Sequence, residues 1–250
     1  MRLVLSEPRF LKESVSILSE LVNDVKIKLD ADKLEIVAMD PANVAMIVFR
    51  LLNSAFAEYD IKGVEVISVN LESLKQVLSR AKPNDNIVLE LDEEKNRLKI
   101  GLRGESKRNF NLGLIDIHEK EQKVPELDFS GSVEMSNVVF NEAVEDMDIV
   151  ADTVSLSTDG NSFLIEAAGN THDAKVSFNK SENISIALSE DKENVKAKYS
   201  IVYLKKILKG GKLADKVFLK LGQDYPLQIE YKVTDKLHFR TLLAPRVSND

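Results

Sequence analysis

YLKKILKGGKLADKVFLKL, residues Tyr203–Leu221, decides how the rest of this chain is read, because an earlier stretch repeats it. In LESLKQVLSRAKPNDNIVLEL, Leu71–Leu91, the residues Leu74, Lys75, Leu78, Lys82, Asp85, Leu89 and Leu91 match Leu204, Lys205, Leu208, Lys212, Asp215, Leu219 and Leu221, each pair 130 positions apart. A second match holds almost the same separation: VKIKLDADKLEIVA from Val25 aligns with VSLSTDGNSFLIEA from Val154, pairing Asp30 with Asp159, Ile36 with Ile165 and Ala38 with Ala167. Self-similarity at a fixed spacing means that one structural unit has been used twice.

Length and composition fit a duplication. The 250 residues, 44% of them hydrophobic, give each half enough apolar material for its own core. The chain has no Cys, which excludes disulfides and thiolate metal sites and suits a reducing interior. MRLVLSEPRF carries no apolar run of signal length, and no run of eighteen apolar residues occurs, so a soluble intracellular protein is expected. Abundant Lys and Glu without Cys or Trp is compatible with a heat-adapted source.

Each half reads as a series of short strands and two helices. RLVLS alternates as a strand, and Phe10, Leu11, Ser14, Val15, Leu18, Leu21 and Val22 recur at helical spacing. VKIKLDADKLEIVAMD follows as a hairpin turning at Asp30–Asp32. VAMIVFRL and VEVISVN are strands, and Asn70 caps the helix beginning at Leu71. NIVLEL, RLKIGL and KRNFNLGL complete the half. The second half repeats this order, with helices expected near Val138–Val150 and Ser200–Gly210. The fold class is therefore α+β, each domain having two helices packed on antiparallel sheet. Expected boundaries are an N-terminal domain over 1–114, a charged linker over 115–130 with one proline, and a C-terminal domain over 131–250.

Helix faces carry the charge. Lys205, Lys209 and Lys212 recur at i, i+4 and i+7 with Lys206 beside them, while Leu204, Ile207 and Leu208 point the other way. Lys75 and Lys82 repeat the stripe in the second helix, with Arg80 at its end. A lysine stripe is most often only a solvated face, but recurrence in both halves favours a function. Lysines without interleaved aromatics suit phosphate contact that ignores base sequence. In a chain of formal net charge −7, that concentration is local.

AMDPANVAMI (Ala38–Ile47), the linker LIDIHEKEQKVPELDF, YPLQIEYK (Tyr225–Lys232) and LLAPRV (Leu242–Val247) resemble the proliferating cell nuclear antigen family of sliding clamps, especially its archaeal members. The resemblance spans essentially the whole chain. It implies the DNA clamp fold: two similar domains per chain, three chains in a closed ring, helices lining a central hole for duplex DNA and sheets forming the outer wall. By position and type, Lys12, Lys75, Arg80, Lys82, Lys209 and Lys212 resemble basic channel residues of the family, and the helix geometry adds Lys205 and Lys206. Encirclement needs only weak positive charge, since tight phosphate binding would stop sliding.

One helix departs from that pattern. NEAVEDMDIVAD places Glu142 and Glu145 where family members often have Arg, and the first helix shows Ser16, Ser19 and Asn23 after Lys12. Two expectations follow: DNA leans toward the second and fourth helices, or the chain belongs to a mixed ring.

The resemblance also implies a pocket for short client peptides, with Met39, Val44 and Met46 as floor, Val124 and Pro125 as linker wall, Pro226 behind, and Leu242, Leu243, Ala244 and Pro245 from a tail open to strand pairing. Without the family, Met39, Val44 and Met46 would read as ordinary core. Ring closure is expected between KRNFNLGL (Lys107–Leu114) and THDAKVSF (Thr171–Phe178) of a neighbouring chain, with Phe110, Lys175 and Phe178 at the seam.

An enzyme is the poorer reading. His118, His172 and His238 fall in unrelated elements, no glycine-rich phosphate loop or nucleophile elbow appears, and Glu145, Asp146, Asp148 and Asp152 read as a solvated helix face before a magnesium site. The expectation is a polymerase processivity factor without cofactor or catalysis. It tethers DNA polymerase, flap endonuclease and DNA ligase, and a clamp loader opens it. It works as a homotrimer or heterotrimer, away from membranes, in the cytoplasm of an archaeal cell or the nucleus of a eukaryotic one. The competing readings are a checkpoint or repair ring and a duplicated binding module that is not a clamp.

Overall fold

A computed structural model describes residues 1–118 and 122–246. The middle of the expected linker, 119–121, and the end of the tail, 247–250, lie outside the described residues. The chain forms two compact units. The first holds Met1–Asn43, Ile47–Val124 and Lys232–Phe239; the second holds Val44–Met46, Pro125–Tyr231 and the chain from Arg240.

Elements in the first half are β1 (Arg2–Leu5), α1 (Pro8–Leu18), β2 (Asp24–Leu29), β3 (Lys33–Met39), β4 (Ala45–Leu52), β5 (Glu58–Asp60), β6 (Glu65–Asn70), α2 (Leu71–Ser79), β7 (Asn86–Asp92), β8 (Arg97–Arg103) and β9 (Lys107–Gly113). The second half has β10 (Gly131–Ser136), α3 (Asn137–Asp148), β11 (Thr153–Thr158), β12 (Ser162–Ala168), β13 (Asp173–Asn179), β14 (Ser185–Leu188), β15 (Val195–Ser200), α4 (Ile201–Leu208), β16 (Lys216–Leu221), β17 (Leu227–Val233) and β18 (Leu237–Leu243). The order is the same twice, as the repeat predicts. The short strands β5 and β14 have no counterpart in the periodicity reading, because strands of three and four residues are too brief to show alternation.

Register carries the duplication into three dimensions. β1 pairs antiparallel with β5 and β7, placing Leu3 opposite Leu89. β10 pairs antiparallel with β14 and β16, placing Val133 opposite Leu219, the residue that matches Leu89 in the repeat. The first unit contains the order β5-β1-β7-β8-β9, and the second contains β13-β12-β11-β15. The two hairpins turn by the same chemistry. Asp30 Oδ1 accepts the N–H groups of Asp32 and Lys33 at 2.9 and 3.1 Å, and Asp159 Oδ1 accepts those of Asn161 and Ser162 at 2.9 and 2.7 Å.

Each helix buries one face. Pro8 opens α1, which buries Phe10, Leu11, Ser14, Val15, Ile17 and Leu18; α3 buries Phe140, Ala143, Val144 and Met147. α1 packs against α2, and α3 against α4. Asn70 caps α2 as expected, its Oδ1 accepting the Ser73 N–H at 3.0 Å. Two expected positions move. Lys82 lies beyond α2, which ends at Ser79. α4 ends at Leu208, so Lys209 and Lys212 stand on a 3-10 turn, not on the continuous stripe that the spacing predicts. Gly210 and Gly211, poor helix formers, occupy this turn, and a Cβ at 210 would lie 2.3 Å from the ring of the buried Tyr231, so the chain packs there at a distance that only glycine allows.

Candidate nucleic-acid and peptide surfaces

In the first unit the basic residues gather at the end of α2. Lys12 reaches from α1 to donate to the carbonyls of Ala81 at 3.2 Å and Ser79 at 3.5 Å, covering acceptors that a helix C-terminus leaves open. Arg80 is exposed at the helix end, and its carbonyl accepts from Arg108 Nη1 at 2.8 Å. Lys82, exposed, pairs with Glu105 at 2.9 Å. Lys75 makes an i, i+3 pair with Glu72 at 3.6 Å. Asp85 organises the turn: its Oδ2 accepts the Lys82 N–H at 2.7 Å and the Arg108 guanidinium. The Lys82 backbone bond and the Arg108 charge hold its carboxyl below the usual carboxylate range.

In the second unit α3 and α4 flank a groove of about 650 Å³, with Glu142 and Glu145 among the lining residues from α3 and Lys205, Lys206, Lys209 and Lys212 from the other side. The sequence singled out all of these residues; their confrontation is new. Lys205 Nζ donates to Asp148 Oδ2, and that bond, reinforced by the charges of Asp148 and Glu145, holds the ammonium above its ordinary range. Lys206 Nζ lies 5.6 Å from the centre of the Tyr203 ring.

The expected peptide-site residues divide between the units. Met39 and Val124 come together in the first, lining a groove of about 500 Å³ with Val37 and Val66. Glu35 and Arg50 also line it. Burial alone would raise the Glu35 carboxyl, but hydrogen bonds from Arg50 and Lys33 hold it lowered. Val37 and Val66 escaped the sequence reading, although both occupy outward positions in alternating strands.

Val44, Met46, Pro125, Pro226, Leu242, Leu243, Ala244 and Pro245 belong to the second unit. Met46 and Leu242 are 6% exposed and Leu243 is enclosed, so these three support the surface without forming it. Ala244 N–H donates to Val44 O at 2.8 Å. The tail is not wholly open. Arg246 N–H donates to Lys198 O at 2.7 Å, and its guanidinium donates to Thr153 Oγ1 at 2.7 Å.

The expected seam strands stand at the ends of their sheet orders, β9 after β8 and β13 before β12. Phe110, half-buried, sits opposite Ile100. Phe178 sits opposite Phe163 and stacks on it at 6.4 Å. Lys175 is exposed and pairs with Glu166 at 3.3 Å. Among the described residues no group of His, Asp and Glu is arranged to hold a metal ion, and no helix is long and apolar enough to cross a membrane.

Residues 1–122 match the family model described as Proliferating cell nuclear antigen, N-terminal domain, and residues 123–246 match Proliferating cell nuclear antigen, C-terminal domain. The chain is 33% identical to a DNA polymerase sliding clamp of Nanoarchaeum equitans over 98% of this chain and 99% of that one. It is 37% identical to a DNA polymerase sliding clamp of Pyrococcus abyssi over 92% and 91%. Among solved structures, PCNA from Thermococcus kodakaraensis aligns with a TM-score of 0.91 at 24% identity over 98% and 99% of the two chains, and Proliferating Cellular Nuclear Antigen from Entamoeba histolytica does so at 0.91 and 19% over 98% of each. At those identities the two structures speak to the fold.

Proposed function

The chain belongs to the proliferating cell nuclear antigen family, and on that premise we propose that it works as a DNA sliding clamp, a processivity factor that encircles duplex DNA and acts without catalysis. The observation that carries this reading is similarity along nearly the whole chain to proteins named DNA polymerase sliding clamp. The basic residues fit it. Lys12, Lys75, Arg80 and Lys82 in one unit and Lys205, Lys206, Lys209 and Lys212 in the other offer point charges to phosphate, and several are already committed to carbonyls or carboxylates of the chain. Contacts shared in this way are weak and exchangeable, which suits sliding.

Three copies close a ring, and the duplication supplies the register. Within the first unit Leu52 N–H donates to Lys236 O at 2.8 Å, and Phe49 meets Phe239 with ring centres 6.1 Å apart. In the repeat β4 corresponds to β13 and β18 to β9, so the contact between β4 and β18 within the chain is the pattern for a contact between β13 and β9 of neighbouring chains. The seam therefore brings β9 of one chain, with the half-buried Phe110, beside β13 of the next, with Phe178 and Lys175, in a ring of identical or related chains.

Two surfaces are assigned to client peptides: the groove bearing Met39 and Val124, and the strand end of the second unit with Val44, Pro125, Pro226, Ala244 and Pro245 over Met46, Leu242 and Leu243. Polymerase, flap endonuclease, ligase and a clamp loader are the expected clients, in the cytoplasm of an archaeal cell. Small peptide interfaces exchange readily.

The test is synthesis by a replicative polymerase on primed circular DNA, with loader and the purified chain. Products lengthen per binding event if the reading holds. Unchanged product length with the chain retained on the circle would instead identify a repair-type ring, and no retention would remove the clamp reading altogether.

A further inference from the structure

The two halves hold the same lysine in different company. Lys75 and Lys205 occupy matching positions in the repeat. The helices packed against them also match, with Leu11, Ser14, Val15 and Leu18 of α1 corresponding at 129 to Phe140, Ala143, Val144 and Met147 of α3, all buried. In that alignment Ser16 of α1 and Ser19 at its C-cap correspond to Glu145 and Asp148 of α3. Lys75 pairs with Glu72 of its own helix at 3.6 Å. Lys205 donates instead to Asp148 of the facing helix, with the charge of Glu145 added. Glu142 and Glu145 share a groove with Lys205, Lys206, Lys209 and Lys212.

We propose that Asp148 is a built-in competitor for DNA phosphate at Lys205, so that the second half grips the duplex less firmly than its lysine count implies. This rests on the sliding-clamp reading. Both Lys205 and Asp148 are exposed, so a phosphate oxygen must either displace, or share the ammonium with, a carboxylate of the same charge sign that is already in hydrogen-bonding position. Each phosphate neutralised by a cation adds about 0.9 to the slope of log affinity against log salt on duplex DNA, and a pre-neutralised lysine forfeits that increment. Asp148 thereby keeps the contact loose at the lysine most centrally placed on α4. The matching positions of the first half hold Ser16 and Ser19, and Lys75 pairs, at the longer distance of 3.6 Å, with Glu72 of its own helix.

The experiment uses the full-length assembled chain and a fluorescent duplex titrated with KCl, comparing wild type, Asp148→Asn, Lys205→Ala and the double variant. Asp148→Asn is expected to steepen the slope by about 0.9, so that its affinity relative to wild type grows about eightfold as salt falls from about 1 M to about 0.1 M. Lys205→Ala is expected to change affinity less than twofold, and in its presence Asp148→Asn is expected to add nothing. A slope unaltered by Asp148→Asn overturns the proposal. So does an equal gain in the Lys205→Ala background, which would mean a general field effect and not competition for one ammonium. Retention of wild type on circular DNA, with release on linearisation, is measured in parallel. If wild type slides off only when the circle is cut and Asp148→Asn has no effect, this inference alone fails; if wild type is never retained, the clamp reading fails and this inference with it.

Discussion

Asp85 shows how much one side chain can organise. It is almost fully enclosed, yet it is not an ordinary buried acid, because it holds the Lys82 backbone N–H and the Arg108 guanidinium at once. Those partners favour the charged form and lower its pKa in the fold. A depressed carboxylate contributes stability that is complete above the unfolded value of about 3.9 and is lost as pH falls through the lower folded value. Asp85→Asn should therefore unfold at lower temperature than wild type at neutral pH, and the gap should close as the solution is acidified below about pH 4. Thermal melts across that range check it; a gap independent of pH would assign the loss to packing alone. The sequence marked Asp85 as a repeated residue, but its partner Arg108 lies 23 positions away and no local pattern announces the pair.

At the scale of elements, the strands and helices were largely legible. Alternation located most strands, and Asn70, Asp30 and Asp159 hold the caps and turns that their residue types imply. The course of the chain after α4 was not legible. Helical spacing of Lys205, Lys209 and Lys212 argued for a continuous stripe, whereas Gly210 over Tyr231 diverts the last two onto a tighter turn. Gly210→Ala should cost about 1–3 kcal/mol through overpacking, seen as roughly 2–4 °C of unfolding temperature for each kcal/mol. It should also weaken DNA retention by shifting Lys209 and Lys212. A variant that melts like wild type would mean that the Tyr231 ring moves aside without cost.

At the scale of the whole molecule, assembly turns on two strand edges. β9 and β13 each end a run of paired strands, and an unpaired edge invites another strand. Light scattering should find Phe110→Asp and Phe178→Asp as smaller species than wild type, because a carboxylate placed in an apolar strand pair has no counter-charge to meet. Both variants should keep the wild-type circular dichroism. If either remains the size of wild type, the pairing of β9 with β13 is wrong.

The sequence by itself determined that one unit occurs twice, which segments are strand or helix, and which faces are basic, because periodicity and repetition are properties of neighbours and of fixed offsets. Tertiary structure alone decided how the charges are spent. Lys205 meets Asp148 across 57 positions, Arg246 is bound to Thr153 across 93, and Leu243, expected at the peptide site, is enclosed. Ion pairing and burial depend on distances through space, which the packing of elements sets and the order of residues does not express.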